Sequence, residues 1–295
     1  MGFFKTLFGG KEENPEEKKK RDDARDFEVL RDDGVRALRS GQAAYAVKCF
    51  RKALEIRDEL QIHDYLSQAL IRADELRPAM QELHLLAEAE PDNIQIFITM
   101  ARVAYMMEDY QAMNEACEKA TLIDSDNAEV VFLYGRASLG QQDLVNAVAM
   151  FTKAIMLNDK HGDAYLQRGE TLLRMGDLEG AEEDADHLLA EVPDHEDVLL
   201  LKARVLMAQK RYEEATEVYS RVIDGNPFCV AAYKERGAAY MALNQKDAAE
   251  ADMRKMLELS PNELADVSGS FSAEGVEQKV RQIYKNNDVF GIFSS

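Results

Sequence analysis

The sequence predicts an all-α chain, a right-handed superhelical solenoid of helix-turn-helix repeats with a C-terminal capping helix. Three observations predict it. Small residues return every 34 positions, apolar residues recur around them at helical spacing, and turn formers fall at fixed offsets between them. A period of about 20–50 residues is the mark of a repeat architecture, in which each unit is one supersecondary element that buries its apolar face on its neighbours.

The first small column is Ala101, Gly135, Gly169, Ala203 and Gly237, and Ser67 and Gly34 extend it backwards with one 33-residue step. Twelve residues after each member stands a second one: Ala46, Ala79, Met113, Ala147, Ala181, Ala215 and Ala249. Four further on lies a larger column of Phe50, Leu83, Cys117, Phe151, Ala185, Tyr219 and Met253. Leu30, His63, Phe97, Val131, Tyr165, Leu199 and Tyr233 precede the first column by four. Offsets of four place residues on one stripe of an amphipathic helix, and the offset of twelve reaches across a short turn to a second one, so each unit holds two such helices, A and B. Ser40-Gly41-Gln42, Glu108-Asp109 and Gly176-Asp177 mark the turns inside units, and Pro91, Pro193, Pro227 and Pro261 the stops between them. The small columns let helix A approach helix B, and the large ones fill the space between units.

Seven units begin near Phe27, Leu60, Ile94, Ala128, Gly162, Glu196 and Val230. The pattern apolar–x3–Gly–x11–Ala–x3–Phe–x2–Ala resembles the tetratricopeptide repeat family over about residues 27–263. The fourth unit shows it in Val131, Gly135, Ala147, Phe151 and Ala154, with Asp159 where the family has proline. The second unit departs furthest, with His63 and Ser67 at signature positions. Residues 1–26 read as a flexible segment with a short amphipathic start and a charged linker. Residues 264–295 read as a capping helix over Ala273–Asn286 and an apolar tail, since an open solenoid end leaves a core face to cover.

Composition narrows the function. A formal net charge of -19 repels phosphate backbones and argues against nucleic acid as a partner. Cys49, Cys117 and Cys229 form neither a disulfide framework nor a zinc motif, which suits a reducing cytoplasm. No stretch reaches the roughly 20 apolar residues of a membrane span. At the start, Phe3, Phe4, Leu7 and Phe8 share one helical face, with Lys18-Lys19-Lys20-Arg21 downstream. Such a pattern suits weak contact with an anionic membrane surface, peripheral to the inner face. Gly2 and Thr6 also match the myristoylation pattern, which applies in a eukaryotic cell.

No P-loop, dinucleotide fingerprint or nucleophile elbow is present, no cofactor is implied, and no catalytic domain fits outside the repeats. His195-Glu196-Asp197 reads as a solvated helix start, Cys117 as a buried inert thiol, and Glu182-Glu183 as a solvated face. The reading is therefore a non-enzymatic scaffold or adaptor. The alternative is a regulatory subunit of a separately encoded enzyme or of a membrane or secretion complex. Nothing in the sequence fixes an oligomeric state.

The family resemblance implies a concave groove lined by helices A. Its fifth, ninth and twelfth positions give Ile98, Arg102 and Tyr105 in the third unit and Phe132, Arg136 and Leu139 in the fourth. They give Leu166 and Leu173 in the fifth unit, and Leu200, Arg204 and Met207 in the sixth. Arginines beside apolar residues suit a protein or peptide ligand with acidic and apolar side chains. The two-carboxylate clamp of chaperone adaptors in this family maps onto Arg31, Val35, Tyr65, Gln95 and Thr99, of which only Arg31 is compatible. An adaptor of that type is not expected.

Overall fold

The computed structural model describes residues 14–260. Among the described residues there are fourteen helices and no strand. They are α1 (Pro15–Arg39), α2 (Ala43–Ile56), α3 (Leu60–Arg72), α4 (Leu76–Ala89), α5 (Ile94–Met106), α6 (Tyr110–Ile123) and α7 (Ala128–Gly140). Then come α8 (Leu144–Leu157), α9 (Gly162–Met175), α10 (Leu178–Glu191), α11 (Glu196–Ala208), α12 (Tyr212–Gly225), α13 (Val230–Ala242) and α14 (Lys246–Leu259). The chain forms two compact units that part between Gln141 and Gln142, so α1–α7 build the first and α8–α14 the second.

The expected starts Leu60, Ile94, Ala128, Gly162, Glu196 and Val230 are the first residues of α3, α5, α7, α9, α11 and α13. The first unit differs. The charged run expected as a linker is helical from Pro15, where Asn14 caps the Glu16 N–H at 3.1 Å and proline stands at the first helical position. The amphipathic start, the capping helix and Pro261 lie outside the described residues.

Each A–B turn carries one residue in the left-handed region. These are Gly41, Asp74, Glu108, Gln142, Gly176, Lys210 and Asn244, with φ between 56° and 82°. Their spacing repeats the register found in the small columns. The Asp109, Asp143 and Asp177 side chains then cap α6, α8 and α10 by accepting from the N–H groups of Ala112, Asn146 and Gly180.

Within each unit a helix packs chiefly on the helices before and after it in the chain. The second small column, Met113 included, is 0% exposed throughout, so the A–B contact is sealed from solvent in every repeat. A Cβ added to Gly169 would lie 2.8 Å from Leu201 Cδ2, and one added to Gly34 2.5 Å from the Phe50 ring. Phe50, Phe151 and Tyr219 of the large column are likewise 0% exposed.

The second unit adds charge to its interior. Arg168 on α9 forks onto Asp184 on α10, Nε to Oδ2 at 2.9 Å and Nη2 to Oδ1 at 2.6 Å, while Nη1 donates to Thr152 on α8 at 3.1 Å. Arg236 on α13 does the same with Asp252 on α14 at 2.8 and 2.7 Å and with Ser220 on α12 at 2.8 Å. Between them in register, Lys202 holds Glu182 at 2.7 Å and Asp186 at 2.6 Å.

Glu182 is thus not the solvated residue expected. Arg211 and Gln209 also donate to it, at 2.8 and 2.6 Å. Burial pushes its carboxyl up, but these bonds and the one from Lys202 outweigh it and hold it down at about 2. Neighbouring Glu183 is exposed as expected. In the first unit His63 replaces the aromatic residue of its column. Its Nδ1 lies 2.5 Å from Glu82 and its Nε2 2.8 Å from Asp58. Burial lowers the imidazole's proton affinity, and the two carboxylates more than reverse that, so its pKa is raised.

Candidate partner-binding faces

In the first unit α5 packs directly on α7. Ile98, Arg102 and Tyr105 are spaced i, i+4, i+7 and share one face of α5, as Phe132, Arg136 and Leu139 do on α7. The structure sorts these six by depth. Ile98 and Phe132 are buried, 4% and 6% exposed, and form the floor. Leu139 is half-buried and Tyr105 is 38% exposed. The Arg102 side chain is 60% exposed, its Nη2 3.0 Å from Glu129 Oε1. The Arg136 guanidinium sits over Tyr105, its Cζ 3.6 Å from the ring centroid and 5.8 Å from that of Phe132. A guanidinium over an aromatic ring keeps N–H donors that match planar acceptors such as carboxylates.

The second unit presents a different face. Leu166 and Leu173 on α9 are half-buried. Leu200 and Met207 on α11 are 7% and 0% exposed, so neither offers surface to a ligand. With Ile98 and Phe132, they correct the expectation of a ligand-lining row: these positions point between packed helices and support the face from below. Arg204 is already engaged. Its Nε lies 3.1 and 3.0 Å from the two oxygens of Glu235 on α13, and Nη2 2.9 Å from Oε1. Glu170 on α9 also acts on Arg204, and burial raises the Glu170 carboxyl.

Glu235 was missed because it sits at the sixth helix-A position, between those that mark the groove. The ion-paired columns were missed too, although the sequence carries a signal: Thr152 and Ser220, Arg168 and Arg236, and Asp184 and Asp252 each stand 68 residues apart, two repeats.

A cleft of about 510 Å³ opens beside α3 and α5, lined by Gln61, Asp64, Gln68, Glu90, Asn93 and Gln95 among others. It contains no cation and so offers a carboxylate nothing to pair with. Of the clamp positions, Arg31 is held by Glu28 at 2.5 Å and Asp32 at 2.9 Å. Cys117 is 1% exposed, and burial followed by the charge of Glu118 pushes its thiol up to about 12, too high for a nucleophile. Among the described residues no group of His, Cys, Asp and Glu could hold a metal ion, and no helix is long and apolar enough to cross a membrane.

Helix pairs in 34-residue register, with an aromatic-arginine face on helices A, define a helix-pair repeat protein. Residues 138–205 and 172–236 match one family model for the tetratricopeptide repeat, and 230–263 match another. Residues 138–263 are thus tetratricopeptide repeats by sequence, and the same helix pairs continue the register before them. Among curated proteins it is 25% identical over 123 residues to Protein CTR9 homolog of Arabidopsis thaliana, and 28% identical over 120 residues to Hsp70-Hsp90 organizing protein 1 of Glycine max. Each match takes in 41% of this chain but only 11% and 20% of those proteins' lengths. Among solved structures, a tetratricopeptide repeat protein from Parabacteroides merdae aligns with a TM-score of 0.67 at 14% identity, covering 92% of this chain and 100% of that one. YrrB, described as a tetratricopeptide protein with an unusual peptide-binding site, aligns at 0.53 and 16% identity, covering 67% of this chain and 97% of its own. At such identities the likeness is one of fold.

Proposed function

We propose that the chain is a non-enzymatic interaction scaffold whose α5–α7 face takes a partner segment carrying carboxylates beside apolar side chains. The repeat fold suggests a protein-interaction role, and YrrB provides a relative in fold that binds peptide. The observation that carries the specific reading is Arg136 stacked on Tyr105 at 3.6 Å beside the exposed Arg102. A carboxylate can take the guanidinium edge while an adjacent apolar side chain covers the aromatic ring. In a chain of net charge -19 these arginines give an acidic ligand a local attraction.

Selection of a displayed peptide library on the whole chain tests this. Enriched sequences are expected to pair Asp or Glu with Leu, Ile or Phe, and to lose about tenfold or more in affinity for the Arg102→Glu, Arg136→Glu double variant. Arg254→Glu, far along the chain on an exposed site, serves as control. Enriched peptides that bind the double variant unchanged defeat the reading. For the N-terminal Phe3, Phe4, Leu7 and Phe8, which lie outside the described residues, we propose weak peripheral contact with the cytoplasmic membrane surface. Liposome flotation with and without residues 1–10 tests it.

A further inference from the structure

We propose that the cavity where α11 begins and α12 ends, in the second unit, holds a basic side chain of a partner protein, its aliphatic stem on Leu199 and Val222 and its charged end among Asp194, Glu196 and Asp224. This does not depend on the α5–α7 face.

The starting point is a glycine that the fold does not require. The helices B end at Ile56, Ala89, Ile123, Leu157, Glu191, Gly225 and Leu259, so Gly225 is the one member of this column without a side chain. Gly41 and Gly176 stand in the left-handed region, and Gly225 does not. A Cβ added to Gly225 would meet nothing within 4 Å among the described residues, so no close approach calls for glycine either. Glycine is a poor helix former, and α12 is the weaker for it. Ile56 and Ile123 are each 37% exposed, so most of each residue is covered in its own repeat. In the sixth repeat the corresponding volume is open, as part of a cavity of about 470 Å³. The fifth repeat pairs Gly162 with Glu191, but there an added Cβ would touch Leu188 Cδ2 at 3.8 Å, so that glycine faces a neighbour.

The same repeat departs from the pattern at the opposite wall. Helices A of repeats two to seven start with Leu60, Ile94, Ala128, Gly162, Glu196 and Val230, of which only Glu196 is charged. Its Oε2 accepts from Asn226 Nδ2 at 2.8 Å, and the Cys229 thiol also bonds to it, so these partners bring no positive charge. Among the described residues that line the cavity, Arg221 is the one cation, turned onto the Pro193 carbonyl at 2.7 Å and Asp194 Oδ1 at 3.3 Å. Three carboxylates against one guanidinium leave the rim negative, and the C-terminal end of α12 adds to it. Leu199 and Val222, both 2% exposed, form an apolar floor. An apolar slot below a negative rim selects a side chain with a long apolar stem and a cationic end, which is lysine or arginine. Phe228, two residues past Asn226, is 76% exposed and offers apolar surface to the residues that flank it.

Methyl NMR on the full chain tests this with acetylated peptide amides: Ala-Leu-Lys-Leu-Ala and its variants with arginine, norleucine or glutamate at the centre. The lysine or the arginine peptide is expected to shift the Leu199 and Val222 methyls saturably. The norleucine peptide, with a similar stem and no charge, should bind about tenfold more weakly, and the glutamate peptide not at all. Glu196→Gln with Asp224→Asn, which keeps the shape of the rim, should weaken the basic peptide about tenfold. Gly225→Leu, which copies Leu157 and Leu259, should abolish the shifts and raise the Tm. It changes no charge, so that loss cannot come from the general attraction of a chain of net charge -19 for a basic peptide. Basic peptides that leave both methyls unmoved overturn the proposal. So does a norleucine peptide that binds as well as the lysine one, or wild-type affinity in either the Gly225→Leu chain or the double rim variant.

Discussion

The two units solve the same packing problem in different currencies. At the seventh position of helix A the second to fourth repeats, in the first unit, place Leu66, Met100 and Tyr134, and the fifth to seventh, in the second, place Arg168, Lys202 and Arg236. Leu66 and Met100 are 2% and 4% exposed and belong to continuous apolar cores. Arg168 and Arg236 instead tie three helices together through a buried aspartate and a hydroxyl. The apolar version tolerates any shape that fills the space. The ionic one demands all its partners, because a lone buried charge is far costlier than an apolar substitute. The second unit is therefore more specific in how its helices meet and more vulnerable to a single loss.

The largest expected effect follows from that vulnerability. Arg168→Met leaves Asp184 buried without its cation and should cost about 3–5 kcal/mol. Adding Asp184→Ala copies Met100 and Ala116 of the third repeat and should recover most of the loss. Hydrogen exchange of α9 and α10 reads this locally, which matters in a repeat chain where one global transition is not assured. A double variant as unstable as the single one would break the comparison. In the first unit Leu66→Ala should cost about 2–5 kcal/mol by leaving a cavity, with no second-site charge change able to rescue it.

Smaller effects come from pH, with opposite sign in the two units. The lowered carboxyl of Glu182 contributes stability above its unfolded value of about 4.3, and that contribution is lost as the folded value near 2 is approached. The raised imidazole of His63 contributes fully below an unfolded value of about 6.5, and its contribution is lost as pH rises through the folded value. Exchange protection of α10–α11 should fall on acidification, and that of α3–α4 on mild alkalinisation. His63→Gln should flatten the second profile and leave the first.

The smallest effect should be the same in both units. Glu108 and Lys210 hold φ of 56° and 63°, where glycine avoids the Cβ clash. Glu108→Gly and Lys210→Gly should each stabilise by up to about 1 kcal/mol by thermal melting. Unequal gains would show that the turns differ despite their shared geometry.

The register was legible because each column repeats seven times, so six helix-A starts fall on the residues the spacing picks out. Depth on a face was not. Ile98, Phe132, Leu200 and Met207 share a stripe with Arg102, Arg136 and Arg204, but periodicity gives the direction of a side chain and not how far the next helix covers it. The ion pairs join residues 16 or 31 positions apart on different helices, and Glu182 looked like any surface glutamate until Lys202, Gln209 and Arg211 closed on it.

Neighbour-only packing has a consequence for how the chain is made. Contacts close over a few tens of residues, so little loop entropy is spent before they form. Helices α1–α4 hold most of their partners by the time α5 leaves the ribosome, and the first unit can consolidate while the second is still being synthesised. The order of translation is then also the order of assembly, with the charged interior of the second unit emerging after the apolar one of the first.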